Sequence, residues 1–197
     1  AGRAGARVIL ADEDFRFGGR LNAERQVLGT LPAAEWASAQ VAELRSLSNV
    51  TLMARTSVVG LYDGNGYVAL ERVADHLVAP APGMPRQRLW QINAKRAVLA
   101  TGSLERPVVF ADNDRPGVML ASAVRTYLNR FAVAPGRRAV VFTATDDGWQ
   151  TAHDLISAGV EVAAVVDPRP DVSPELSRAL PAHLGGLVRR AYGNGRV

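Results

Sequence analysis

The stretch Ala139–Asp167, AVVFTATDDGWQTAHDLISAGVEVAAVVD, constrains the fold more than any other part of the chain. A β-branched apolar run leads into a short polar turn, a helix-like segment, a glycine, a second apolar run and an acid. That order is a βαβ unit, in which two parallel strands are bridged by a helix lying on one face. Nucleotide-binding versions carry G-x-G-x-x-G at the turn, so that backbone amides at the helix start can approach a pyrophosphate. Here the turn reads Thr143, Ala144, Thr145, Asp146, Asp147, Gly148, so one glycine of three remains. Thr143 and Thr145 put Cβ atoms where close approach is needed. Asp146 and Asp147 suit the helix dipole but repel phosphate, by roughly 1–4 kcal/mol at about 4 Å depending on screening. Asp167 stands at the ribose-acid position. The expectation is a retained fold whose dinucleotide site has gone.

The chain opens on half of another such unit. Ala1–Ala4 read as the last turn of a helix ended by Gly5, and Arg7–Ala11 as a short buried strand tipped by Asp12, Glu13 and Asp14. This spacing predicts that a first strand and its glycine-rich turn precede residue 1, making the chain a piece of a longer protein. An acid at the strand tip can accept hydrogen bonds from ribose hydroxyls. Asp12 is the first candidate and Glu13 a lesser one; the alternative is a solvated acid in a turn. Gly18-Gly19 mark a tight backbone passage suited to a diphosphate or flavin.

Beyond it, Pro32 precedes a helix expected over Ala33–Ser48, with Trp36, Val41, Leu44 and Leu47 near one face. The period then changes to two. VTLMARTSVVGLYDG and YVALERVAD flank Asp63-Gly64-Asn65-Gly66, a hairpin signal. Val58 would lie where a meander strand passes an adenine, although an ordinary core valine is the commoner meaning of such a side chain. RLWQINAKRAVLATG gives a further strand pair, with Ala97–Ala100 as a central strand buried on both faces. The small residues that end it, Ala100, Thr101 and Gly102, allow a cofactor near the backbone. A loop follows. Ser122 then caps a helix over Ala123–Phe131, and Glu175–Leu180 form a short helix with loop beyond.

The fold class expected is α/β: two Rossmann-like units of the FAD/NAD(P)-binding, disulfide-reductase-like kind, with a β-meander insertion and with the N-terminal strand and Gly-rich turn missing. Residues 1–134 would hold the remainder of the first unit, and 135–197 a truncated second unit with a degenerate glycine motif.

Composition removes several alternatives. With no cysteine, disulfides and thiolate metal sites are excluded, which fits a reducing, cytoplasmic setting. His76, His153 and His183 lack paired spacing, so no metal site is expected; His153 and Asp154 are expected to face solvent. No Gly-x-Ser-x-Gly elbow occurs, and no catalytic residue is assigned. The net charge is +4, but basic residues are scattered and only Lys95 among the 23 is a lysine. Nucleic acid is therefore not an expected partner. No apolar run approaches the roughly 18–20 residues that span a bilayer, so no membrane association is expected.

The block RLWQINAKRAVLATGSLERPVVFADNDRPGVMLASAVRTYLNRFAVAPGRRAVVFTATDDGW resembles the alpha-subunit family of heterotetrameric sarcosine oxidase, and TSVVGLYDGNGYVALERVADHL is similar to the same family. The resemblance implies a flavoenzyme complex with beta, gamma and delta partner subunits that oxidatively demethylates sarcosine to glycine. Oxygen or tetrahydrofolate would serve as co-substrates, with FAD and FMN in the full complex and peroxide formed. This segment would belong to a module that binds NAD in a structural role. By position, Asp12 would match the acid on the NAD adenosine ribose, and Gly18, Gly19 and Arg20 the doublet beside the diphosphate. Val58 would match the adenine-contacting strand, and Ala100, Thr101 and Gly102 the loop over the cofactor. A chain from a related amine or opine dehydrogenase, of octopine oxidase or hydrogen cyanide synthase type, and a non-catalytic scaffold are the competing readings.

Overall fold

The structure, a computed structural model, describes residues 1–193; residues 194–197, the end of the expected C-terminal loop, lie outside the described part. The chain forms two compact units, Ala1–Leu21 with Val27–Gly102, and Asn22–Gln26 with Ser103–Val197.

In the first unit a 3-10 turn at Gly2–Ala4 is ended by Gly5 at φ +82°, a left-handed conformation that glycine adopts without steric cost. Strand β1 (Val8–Ala11) runs parallel to β4 (Val50–Met53), with Val8 opposite Val50 and Ala11 opposite Met53. Between them in sequence lie the short antiparallel pair β2 (Val27–Leu28) and β3 (Leu31–Pro32) and helix α1 (Ala33–Ser46). Ala33 and Ala37, one turn apart, are the buried residues of α1. Val41 and Leu44 are half-buried on the same side, whereas Trp36 is exposed and lies off the expected face. The meander is a three-stranded antiparallel sheet of β5 (Thr56–Tyr62), β6 (Gly66–Arg72) and β7 (Gln87–Asn93). Its first hairpin turns at Asp63–Asn65, where Gly64 and Asn65 take φ +71° and +61°.

Two expectations fail in this unit. Strand β1 is not buried: Ile9 and Leu10 are 46% and 37% exposed. Ala97–Ala100 form no strand, and Val98 and Leu99 are 90% and 85% exposed. A doubly buried strand needs a ladder partner and a layer on each face. Among the described residues β1 has a ladder to β4 alone, and residues 97–100 have none.

The second unit is built on a parallel sheet in the order β10-β9-β8, from β8 (Arg138–Phe142), β9 (Glu161–Asp167) and β10 (Ala182–Leu184). Helix α3 (Asp146–Ser157) bridges β8 and β9, as the βαβ pattern requires. It brings Trp149, Ala152 and Leu155 onto Val141, Val162 and Val165. Each large aliphatic or aromatic side chain among these stabilises the fold by about 1.5–3 kcal/mol on burial. Strand β10 replaces expected loop. All three of its residues are exposed, so no buried alternation marks it in the sequence. The short helix α4 is Pro174–Ser177, and Ser173 Oγ accepts the Leu176 N–H at 3.4 Å. It stops before the expected Leu180, and Ala179 turns to φ +59°.

Helix α2 (Ala121–Arg125) continues into a single π-turn, Thr126–Arg130, and packs on α3 within this unit. Ser122 does not cap it. Glu105 does, its two carboxylate oxygens accepting the Ala121 and Ser122 N–H groups at 3.0 and 2.7 Å. A carboxylate there meets the orphan donors and the positive end of the helix dipole together.

Candidate functional site

The acid turn of the first unit is assembled by backbone hydrogen bonds. Asp12 N–H donates to Met53 C=O at 3.0 Å, which extends the β1–β4 ladder by one residue, and Asp12 C=O accepts from Thr56 N–H at 2.8 Å. The tip of β1 is thereby joined to the start of the meander. Asp12 Oδ1 turns back to accept the Asp14 N–H at 2.9 Å, an Asx turn. Asp12 is half-buried and one of its oxygens serves the turn, whereas Glu13 is exposed.

Beside Glu13 lies an open hollow of about 460 Å³, lined by Glu13, Asp14, Phe15, Arg55 and Arg72. Arg55 N–H donates to Asp14 C=O at 2.8 Å, and Arg72 Nη2 donates to Glu13 C=O at 2.7 Å. Two carboxylates, two guanidinium groups and an aromatic ring thus surround the strand tip. That combination can accept hydrogen bonds from a diol and stack against a flat base. Sequence reasoning missed Phe15, which follows the acids in the same turn, and missed Arg55 and Arg72 because the β4–β5 turn and the end of β6 reach this place only through sheet pairing.

The other expected site residues are placed as follows. Gly18 and Gly19 have φ +124° and +51°, so the expected tight passage is present; a Cβ on Gly19 would meet open space, and conformation alone favours glycine there. Arg20 follows in the 3-10 turn Gly19–Ala23. Val58 pairs with Ala69 on β6 beside an irregularity at Val58/Gly60, and its side chain is 55% exposed rather than in the core. Ala100, Thr101 and Gly102 are exposed and outside any strand, with Gly102 at φ +69°.

In the second unit the side chains at the turn and at the end of β9 bond to one another and to neighbouring residues. Thr143 Oγ1 donates to Thr145 C=O at 3.0 Å and accepts the Thr145 N–H at 3.1 Å. Gly148 is required for packing: a Cβ there would collide with Thr143. Asp146 binds Arg169 Nη1 at 2.7 Å, and Asp147 binds Arg125 Nη1 at 2.9 Å. Asp167 is fully buried and accepts Trp149 Nε1–H at 2.8 Å and Arg169 Nη2–H at 2.8 Å. Burial pushes its carboxyl up, but the hydrogen bonds from Arg169 and Trp149 outweigh this and hold it below the usual carboxylate range. The Arg169 guanidinium is held charged, first by its hydrogen bonds to Asp167 and then by those to Asp146.

His153 and Asp154 do not face solvent as expected. Asp154 is 7% exposed, and its Oδ2 accepts from Arg125 Nε at 3.1 Å and Asn129 Nδ2 at 2.8 Å. His153 Nε2 lies 2.8 Å from Leu176 C=O. Arg125, itself 5% exposed, also reaches Glu24 at 2.5 Å, so three carboxylates surround one guanidinium. Among the described residues no group of three or more His, Cys, Asp or Glu could hold a metal, and no helix is long and apolar enough to cross a membrane.

No family model matches the chain. Against the sarcosine oxidase alpha subunit of Rhizobium meliloti (strain 1021) it is 52% identical over 170 residues, 86% of this chain and 17% of that protein. Against its counterpart in Corynebacterium sp. (strain P-1) it is 45% identical over 184 residues, 92% of this chain and 19% of that one. An opine oxidase subunit of Agrobacterium tumefaciens (strain Ach5) is 30% identical over 175 residues, 85% of this chain and 33% of that protein. Among solved structures, L-proline dehydrogenase from P. horikoshii superposes with a TM-score of 0.64 at 24% identity, over 84% of this chain and 32% of that one. Bacillithiol disulfide reductase from Bacillus cereus gives 0.52 at 12% identity, over 96% and 64%. These superpositions bear out the Rossmann-like α/β fold class.

Proposed function

The chain is a relative of the sarcosine oxidase alpha subunits along one segment spanning under a fifth of their length, and on that premise we propose that it works as part of such a protein. The full complex would oxidise sarcosine at its CH–NH bond to give glycine, with FAD and FMN as its flavins, tetrahydrofolate taking the methyl carbon, oxygen reduced to peroxide, and beta, gamma and delta subunits as partners. The observation that carries this reading is the 52% identity over 170 residues.

Within the complex the segment belongs to a module that holds NAD in a structural role. The residues present fit that group. Asp12 and Glu13 offer carboxylate acceptors to the ribose hydroxyls, and Gly18-Gly19 let the backbone pass close to a diphosphate. Here NAD would supply binding energy and rigidity to the module. The chain's own residues bind and orient it, and none is assigned a proton or hydride transfer.

The test uses the full-length protein with its partner subunits. Turnover of sarcosine is compared with turnover of octopine and proline, and the NAD released on denaturation is counted per complex. Sarcosine turnover with about one NAD per complex is the expected result. A preference for opines would move the chain to the opine oxidase reading, and absence of NAD would remove the module assignment.

A further inference from the structure

The hollow beside Glu13 contains an unusual backbone. Arg55 takes φ +53°, the left-handed region that non-glycine residues seldom occupy. The strain is localised: Arg55 is fixed on both sides, its N–H to Asp14 C=O at 2.8 Å and its C=O to Arg72 N–H at 2.9 Å. Glycine would satisfy both bonds at lower conformational cost, so the pattern calls for a reason to keep a long side chain there. The reason visible in the fold is the position of the guanidinium. It lies over the Phe15 ring, 5.2 Å from the centroid, inside an open hollow of about 460 Å³.

The Arg55 guanidinium carbon lies within cation–π range of the Phe15 ring and both groups line the hollow, so a planar π-system entering it can pack against the guanidinium. The neighbouring groups narrow the choice of ligand. Glu13 and Asp14 line the same hollow as Arg55 and Arg72, so its formal charges balance and a neutral planar base meets no net repulsion there. Asp12 and Glu13 are also the acids assigned to the ribose, and the base attached to that ribose lies next to it by covalent geometry.

We propose that Arg55, backed by Phe15, is the stacking platform for the adenine base of the nucleotide. The inference rests on the nucleotide-binding reading above. Arg72 is a positioning residue: by holding Glu13 C=O it sets where the acid turn stands relative to the platform.

The experiment measures ADP binding to the nucleotide-stripped full-length protein by calorimetry, for the wild type, Arg55→Gly, Arg55→Lys and Glu13→Ala/Asp12→Ala together. Arg55→Gly relieves the left-handed strain and removes the platform. It is expected to leave the melting temperature unchanged or higher while weakening ADP binding about tenfold, within the range of a partly exposed cation–π contact. Arg55→Lys keeps the charge without the plane and is expected to restore little of the loss. If both Arg55 variants bind ADP like the wild type while the double acid variant does not, the platform is overturned and the ribose assignment stands. If the wild type binds no adenine nucleotide, both are overturned.

Discussion

Trp149 donates its indole N–H to Asp167 at 2.8 Å, and both side chains are fully buried. The bond joins the helix and the second strand of the βαβ unit. The acid that would meet a ribose in a nucleotide-binding relative of this unit is thereby used to hold the unit together. Asp167→Ala leaves the indole N–H and Arg169 without their acceptor and should cost about 2–4 kcal/mol. Hydrogen exchange of α3 and β9 amides in the full-length protein reads the loss locally.

The same carboxyl gives a pH dependence. Its folded-state value lies below the ordinary 3.8, so its stabilisation is complete above that value and is lost as pH falls through the lower, folded one. Exchange protection of α3 should therefore decline below about pH 4 in the wild type, on the scale set by ordinary carboxylates. It should decline less steeply in Asp167→Asn, which starts from lower protection. Equal acid slopes in the two proteins would refute the assignment.

Gly148→Ala should destabilise the second unit by about 1–3 kcal/mol, because the new methyl must displace Thr143 at the start of α3. Thr143→Gly combined with Gly148→Ala should recover part of that loss. A double variant as unstable as the sum of its single changes would show that the clash is not with Thr143.

Arg125 and its acids should respond asymmetrically. Arg125→Met removes the guanidinium that neutralises Glu24 and Asp154, both within 9% side-chain exposure, and should cost about 3–5 kcal/mol. Glu24→Gln retains a hydrogen-bond acceptor for the guanidinium and removes one of three negative charges around it, so it should cost about 1 kcal/mol or less. Thermal unfolding of the full-length variants compares the two.

Restoring glycines should not restore a second nucleotide site. Thr143→Gly with Thr145→Gly and Asp146→Ala opens the turn, yet Asp167 keeps its bonds to Trp149 and Arg169. Nucleotide bound per chain should not rise above the wild-type value.

Where pattern and chemistry were local, the sequence was legible. The 2-to-3.6 change of period placed β8, α3 and β9, glycine and asparagine chemistry placed the hairpin at Asp63–Asn65, and Gly18-Gly19 marked a turn that only positive φ can make. The likeness to sarcosine oxidase alpha subunits was carried by the sequence itself as well. Other features depended on partners far along the chain. Glu105 caps α2 from 16 residues upstream, Asp154 meets Arg125 across 29, and Glu24 meets it across 101. Ala97–Ala100 had the composition of a buried strand but received no ladder partner among the described residues. Sequence alone determined which segments favour helix, strand or turn, because backbone sterics and side-chain period act within a few residues. Tertiary structure alone decided which charges are buried together and where Arg55 stands, because those depend on free energies of contact that no local pattern encodes.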